Sequence, residues 1–374
     1  MRNDIIKKIV LAVIIVITIF IVLFIGREIA VKFFGFKMPS LSKSTHLNAK
    51  KIDVVLDEKM NYTHIVNDKY IYFATTNNVI VVDDSGNKKA ELPISVENPR
   101  AGASGEYVVI GDIGGTNIYI IKDNQIKQNI VTTKAIKNVS INNSGYCVAV
   151  TEGDMHKRDV ILYNEKGEEL FVWTSGTKLV FDAVVANNNK NVIISSLDTQ
   201  TDSVTTILNF YNISKEEPVA TETLSSEIVP DLHVFGNYVY CIGESKTQTY
   251  TPTGEKKGEV LYTDKSILSY KINKNGIIMM FSQSAISDKR YCIDVYNENG
   301  NLKSTHEFEY VSEFMDASSN YITIGREGLI SIIDYNGREK KLLNPGIDVS
   351  DLCFVGNSNK LIGFTANGAY IFTI

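Results

Sequence analysis

The feature that most constrains this chain is a turn that recurs along it. Val82-Asp83-Asp84-Ser85-Gly86, Tyr163-Asn164-Glu165-Lys166-Gly167, Tyr250-Thr251-Pro252-Thr253-Gly254, Tyr296-Asn297-Glu298-Asn299-Gly300 and Asp334-Tyr335-Asn336-Gly337 follow one plan. Imperfect copies fall near Asn124 and Ile213. From Gly86 to Gly337 the mean spacing is about 42 residues. Each turn follows one run rich in Val, Ile, Tyr and Phe and precedes another that starts polar, as in Lys166 to Trp173. Runs of that length, branching and alternation read as strands, and no stretch after residue 50 holds a 3.6-residue apolar period over three turns. Each unit therefore carries four strands, A to D, with the recurrent turn between C and D. A four-strand unit of about 40–45 residues is the period of a β-propeller blade.

The predicted fold is all-β, an eight-bladed propeller, with seven blades as the alternative count. Blade limits fall at 62–94, 96–132, 135–173, 178–224, 227–262, 266–308, 310–344 and 347–374. The last blade ends on a C strand, Gly368 to Ile374, with no D strand after it. Lys51 to Asp57 (KIDVVLD) precedes blade 1 and has no blade of its own, so it is expected to close the ring as the outer strand of blade 8. Closure removes the open sheet edges that invite aggregation.

At 44% hydrophobic and 22% charged, the composition is that of a globular chain. A net charge of −5 provides no basic field for nucleic acid, which is not expected as a partner. The layout resembles the broad superfamily of WD40-like and quinoprotein-like propellers over everything after residue 50. No Trp-Asp dipeptide ends any blade. Quinoprotein-type repeats place a Trp four residues after a Gly; here Gly167 is followed at that distance by Phe171, and the lone Trp173 comes two later. No quinone or other cofactor is therefore expected. The plan of anchor plus propeller also resembles uncharacterised single-pass envelope proteins of Firmicutes, and, in architecture alone, the membrane-tethered propeller scaffold of the outer-membrane assembly machine.

The anchor is Ile9 to Ile25, seventeen residues that are apolar except for Thr18. As a helix they cover about 26 Å, close to the ~30 Å of a hydrocarbon core. Lys7 and Lys8 mark one boundary. The exit, Phe24-Ile25-Gly26-Arg27-Glu28, lacks the small residues a signal peptidase needs. The expected organisation is a cytoplasmic tail at 1–8, a transmembrane signal anchor at 9–26, a juxtamembrane linker at 27–50 and the propeller at 51–374. Positive charges on the two sides nearly balance, and the short leading tail favours an extracytoplasmic propeller.

Candidate chemistry is sparse. Asp112-Ile113-Gly114-Gly115-Thr116-Asn117 resembles the phosphate-binding hairpin of actin-like sugar kinases, but the long helices of that family do not follow. It is read instead as the B–C hairpin of blade 2, with the glycines supplying a tight turn. Cys147 and Cys241 fall in B strands, Cys292 in a C strand and Cys353 in an A strand, with no Cys-x-x-Cys and no histidine at ligand spacing. His46, His64, His156, His233 and His306 are scattered singly. No catalytic or metal residues are expected. Asp83-Asp84 is read as a turn cap.

Two groups remain. The B–C hairpins of blades 3, 4 and 6 are longer than a tight turn needs, and all B–C loops share one face with the D–A loops. They gather Asp154, His156, Lys157, Arg158, Asp198, Asp202, Asp288, Lys289 and Arg290 on one rim, where binding residues concentrate. Asp182, Asp231, Asp316 and Asp351 recur on inner A strands, positioned to converge on the central channel. The expected function is a non-enzymatic, membrane-tethered scaffold at the cell envelope that binds another envelope protein. The alternative is a small-ligand or cation sensor, or an enzyme, with its site in the channel.

Overall fold

In this computed structural model the described residues are 45–374, except 53, 55–61, 154–157, 177, 199–202, 284–289, 313, 327, 357 and 366–367. The predicted anchor at 9–26 and its flanks lie outside them. Among the described residues no helix is long and apolar enough to cross a membrane.

The recurrent turn works as its composition requires. Asp83, Asn164, Asn297 and Asp334 each accept, through Oδ1, the backbone N–H groups two and four residues ahead, at 2.9–3.0 Å. The glycine in the third place after the cap then sits at φ +77° to +82°. That left-handed residue forces a bulge into the C–D ladder, as between Val81 and Val82 or Val295 and Tyr296. Each cap thus satisfies the turn and starts the outer strand.

Eight antiparallel sheets result, one per blade. They span Thr63–Pro93, Pro99–Val131, Ile136–Thr174, Lys178–Ser225, Asp231–Leu261, Lys265–Phe308, Met315–Asn344 and Asp351–Thr373. Eight blades, not seven, are present. C strands such as Thr205–Asn212 are buried throughout most of their length, whereas D strands such as Glu169–Thr174 alternate outward. Eight hydrophobic clusters fill the interfaces between neighbouring blades. Between blades 4 and 5, for example, Phe210 packs on Tyr250 with ring centroids 5.3 Å apart.

The ring closes as expected, with the segment ahead of blade 1 supplying the outer strand of blade 8, but that strand starts earlier. The closing strand is β2 (Ala49–Lys51), which pairs with Gly368–Thr373 as the fourth strand of blade 8. It is followed by one more bond, from the Ile52 N–H to the Ala369 carbonyl at 2.9 Å. Pairing thus begins two residues before Lys51. Ahead of it β1 (Thr45–His46) runs parallel to Glu339–Asn344 as a fifth strand on blade 7. The expected linker therefore contributes β1 and the first two residues of β2 to the sheets. The apolar pattern pointed to Ile52 and Val54 instead because those side chains are buried against blade 1.

Candidate functional site

The A strands of successive blades touch one another around the ring, so their polar side chains meet at its inner edge. Bulges in the A strands of blades 3, 4 and 6 re-aim side chains there, between Ile136 and Asn138, Val180 and Asp182, and Ile267 and Ser269.

All four channel candidates bridge neighbouring blades. Asp182 is buried; its Oδ1 accepts Asn138 Nδ2 at 2.6 Å from blade 3, and its Oδ2 accepts the Leu232 N–H at 2.9 Å from blade 5. Burial raises its pKa and the nearby Asp231 raises it further, against the Leu232 and Ala183 N–H bonds. Asp231 accepts the Tyr270 hydroxyl of blade 6. Beside it, burial lowers the pKa of His233. Asp316 pairs with Lys271 of blade 6 at 3.0 Å and accepts the Phe354 N–H of blade 8 at 2.7 Å. The charge of Asp316 is the chief reason the Lys271 ammonium is held above its ordinary pKa. Asp351 meets His64 Nε2 of blade 1 at 3.2 Å. Burial works against its ionisation, yet the bonds from His64 and the Leu352 N–H and the charge of Lys271 hold its pKa low. The carboxylates divide into an Asp182–Asp231 group and an Asp316–Lys271–Asp351 group.

The second group corrects one reading. No histidine lies near a cysteine in sequence, but ring closure sets His64 beside Asp351 and Cys353, with donor atoms all within 4.8 Å of one another. The strands that hold them are separated by nearly the whole propeller, so spacing could not reveal the group. The other three cysteines are buried and free.

On the rim, Asp154, His156, Lys157, Asp202, Asp288 and Lys289 lie outside the described residues. Arg158, Asp198 and Arg290 mark the stems of the three long hairpins. Arg158 reaches the Val180 carbonyl at 3.4 Å, Asp198 pairs with Lys178 in the ladder, and the exposed Arg290 accepts the Gln283 N–H at 2.8 Å. Asp112 of the Gly-Gly hairpin is buried and accepts the Glu97 and Asn98 N–H groups at 2.8 and 3.0 Å. It fastens the loop that enters blade 2 to that blade's own B strand, a structural task that accounts for the motif.

The same face carries a pocket of about 330 Å³ at blade 7 that the sequence reading missed. Two D–A loops supply Val311, Phe314 and Val349, and the short B–C hairpin supplies Arg326 and Leu329. The Phe314 ring lies over Gly325, where a Cβ would fall 2.9 Å from it. Arg326 stacks on Tyr310, 5.0 Å from the ring centroid, and bonds Glu339 at 3.1 Å. Val311, 65% exposed, forms the apolar lip. Apolar residues in the loop from 309 to 314 were the available signal.

The fold is similar to two solved propellers. The C-terminal WD40 domain of Sif2 aligns with TM-score 0.57 and 12% identity, over 88% of this chain and 99% of that one. BamB from Moraxella catarrhalis aligns with TM-score 0.50 and 13% identity, over 87% and 98%. Comparison with curated proteins finds no match. The sequence profile of one family of unknown function, DUF5711, matches residues 43–372, which is the whole propeller with both closing strands, and the chain belongs to that family.

Proposed function

We propose that this propeller is a non-enzymatic scaffold, tethered to the cell membrane by residues 9–26, that binds another envelope protein through its B–C and D–A loop face. The observation that supports this reading is the blade 7 pocket. Its wall sets the apolar side chains of Val311, Phe314, Leu329 and Val349 beside the charged Arg326 and Asp348, its lip is exposed, and Arg326 is held in place by Tyr310 and Glu339. Compact apolar pockets with a fixed polar edge suit the insertion of one aliphatic or aromatic side chain from a protein partner. The stems of the long hairpins of blades 3, 4 and 6, at Arg158, Asp198 and Arg290, open on that same face.

Crosslinking in intact membranes tests it, followed by purification of the full chain. Val311→Asp is expected to abolish a specific crosslink while changing stability by less than about 0.5 kcal/mol. Leu302→Asp, another exposed apolar position, on an outer strand, is expected to leave it intact. Equal loss in both, or in neither, rejects the pocket as the contact. Protease treatment of intact cells tests the address: a propeller outside the cytoplasm is digested, and its survival refutes that placement.

A further inference from the structure

We propose that His64, Asp351 and Cys353 form a binding site for a divalent transition-metal ion of the zinc class, which pins blade 8 to blade 1 where the ring closes. The inference rests on donor chemistry, placement and charge, and goes beyond the scaffold reading.

The donors are an imidazole nitrogen, a carboxylate oxygen and a sulfur, all within 4.8 Å of one another. An ion bound tetrahedrally at about 2.0–2.3 Å holds its donors roughly 3.3–3.7 Å apart. His64 Nε2 and Asp351 Oδ2 are already 3.2 Å apart, so binding asks for a closure of at most about 1.5 Å at the sulfur. A mixed nitrogen, oxygen and sulfur set selects borderline ions over Mg²⁺ or Ca²⁺, which take oxygen ligands.

Placement fixes the donors before an ion arrives. Asp351 and Cys353 are alternate residues of the inner strand Asp351–Phe354 and so share a face. His64 belongs to the inner strand Thr63–Asn67 of blade 1. Its ring is stacked on Phe364 of blade 8, centroids 3.6 Å apart and planes 20° apart. Asp351 Oδ1 accepts the Leu352 N–H at 2.8 Å, leaving Oδ2 toward the histidine. All three residues are partly accessible, which provides an entry path and leaves a fourth coordination position for water.

Charge favours a dication. When the thiol gives its proton to solvent on binding, Asp316, Asp351 and Cys353 carry three negative charges. The only facing cation among the described groups acting on them is Lys271 at Asp316, together with neutral or charged His64. One divalent ion with neutral His64 brings the set to neutrality.

The test uses the full chain in detergent, stripped with a chelator and titrated with Co²⁺ and then Zn²⁺. One Co²⁺ per chain is expected, with thiolate-to-metal charge-transfer absorption that Zn²⁺ bleaches. Cys353→Ser is expected to lose that absorption and Cys292→Ser to keep it. His64→Ala is expected to weaken binding by more than the roughly 10–100-fold typical of an outer-sphere partner. Zn²⁺ is expected to raise Tm by a few degrees in the native chain and in neither variant of the triad. Because a variant can lose structure, alkylation of the unaltered protein gives a second readout. Cys353 is the only partly accessible cysteine, and Zn²⁺ is expected to slow its modification at least about tenfold by masking the thiolate. Co²⁺ binding without the thiolate band, binding retained in Cys353→Ser, or alkylation indifferent to Zn²⁺ overturns the proposal.

Discussion

The outer turns and the inner strands of this propeller follow opposite rules. At the C–D turns four blades use the same cap, the same two N–H bonds and the same left-handed glycine. At the inner edge an aspartate recurs in four blades but no two of them meet the same partner: Asn138 for Asp182, Tyr270 for Asp231, Lys271 for Asp316 and His64 for Asp351. Repetition marks what every blade needs in order to fold. Departure from it marks what the ring does with its position in space, joining particular neighbours and assembling donors such as His64 and Cys353.

Substitutions can break this contrast. The largest effect is expected at Gly300. Its φ is +82°, and an added Cβ would lie 2.2 Å from the Glu259 carbonyl oxygen. Gly300→Ala combines left-handed strain of about 1–2 kcal/mol with a backbone clash, for a total above about 3 kcal/mol. Next is Asp182→Ala, which orphans the Leu232 and Ala183 N–H groups and Asn138 and is expected to cost about 2–4 kcal/mol. Gly86→Ala, in the same turn of another blade, is expected to cost only the strain, about 1 kcal/mol. A Cβ there would lie 3.5 Å from the nearest atom, on the flexible Ile371 side chain. Urea unfolding of the three variants orders them. Equal losses at Gly300 and Gly86 would mean that the turns are interchangeable in context as well as in sequence.

The smallest effect sharpens the inner side. The folded pKa of Asp182 is raised, by burial first and by Asp231 second. Its contribution to stability is thus fully present below the ordinary carboxylate pKa of about 4 and is lost as pH rises through the folded value. Asp231→Asn removes the second cause. The decline in Tm from pH 4 to pH 8 is expected to be shallower in that variant by a degree or so. Parallel pH profiles would show that the two carboxyls do not sense one another.

What was legible in the sequence follows the same division. The caps at Asp83, Asn164, Asn297 and Asp334 act through residues two to four positions away, so spacing exposes them, and the blade limits came within a few residues of the strands. The placement of Asp182, Asp231, Asp316 and Asp351 on inner strands was legible because their offset within each blade recurs. Their partners were not, since Tyr270 for Asp231 and His64 for Asp351 come from other blades, the latter from the far end of the chain. The start of the closing strand, two residues before Lys51, was not legible because the apolar signal lies at Ile52 and Val54, which are buried against blade 1, while the paired Ala49–Lys51 are exposed. The rim pocket was invisible for a different reason. It is made by two loops and a short hairpin, none unusual in length, that become concave only when blades 6, 7 and 8 stand side by side.

Closure by β1 and β2 has a mechanical consequence. These strands form the outermost edges of blades 7 and 8, and among the described residues they are the first strand pairings met by tension arriving along the chain from ahead of Thr45. A pull on that end loads two short ladders before any complete blade. Stripping them exposes the edge of Gly368–Thr373 and uncovers the blade 1 residues packed under Ile52 and Val54. A chain held at that end and gripped by a partner at its loop face therefore has a weak link at a defined place, where applied force would register before the rest of the ring yields.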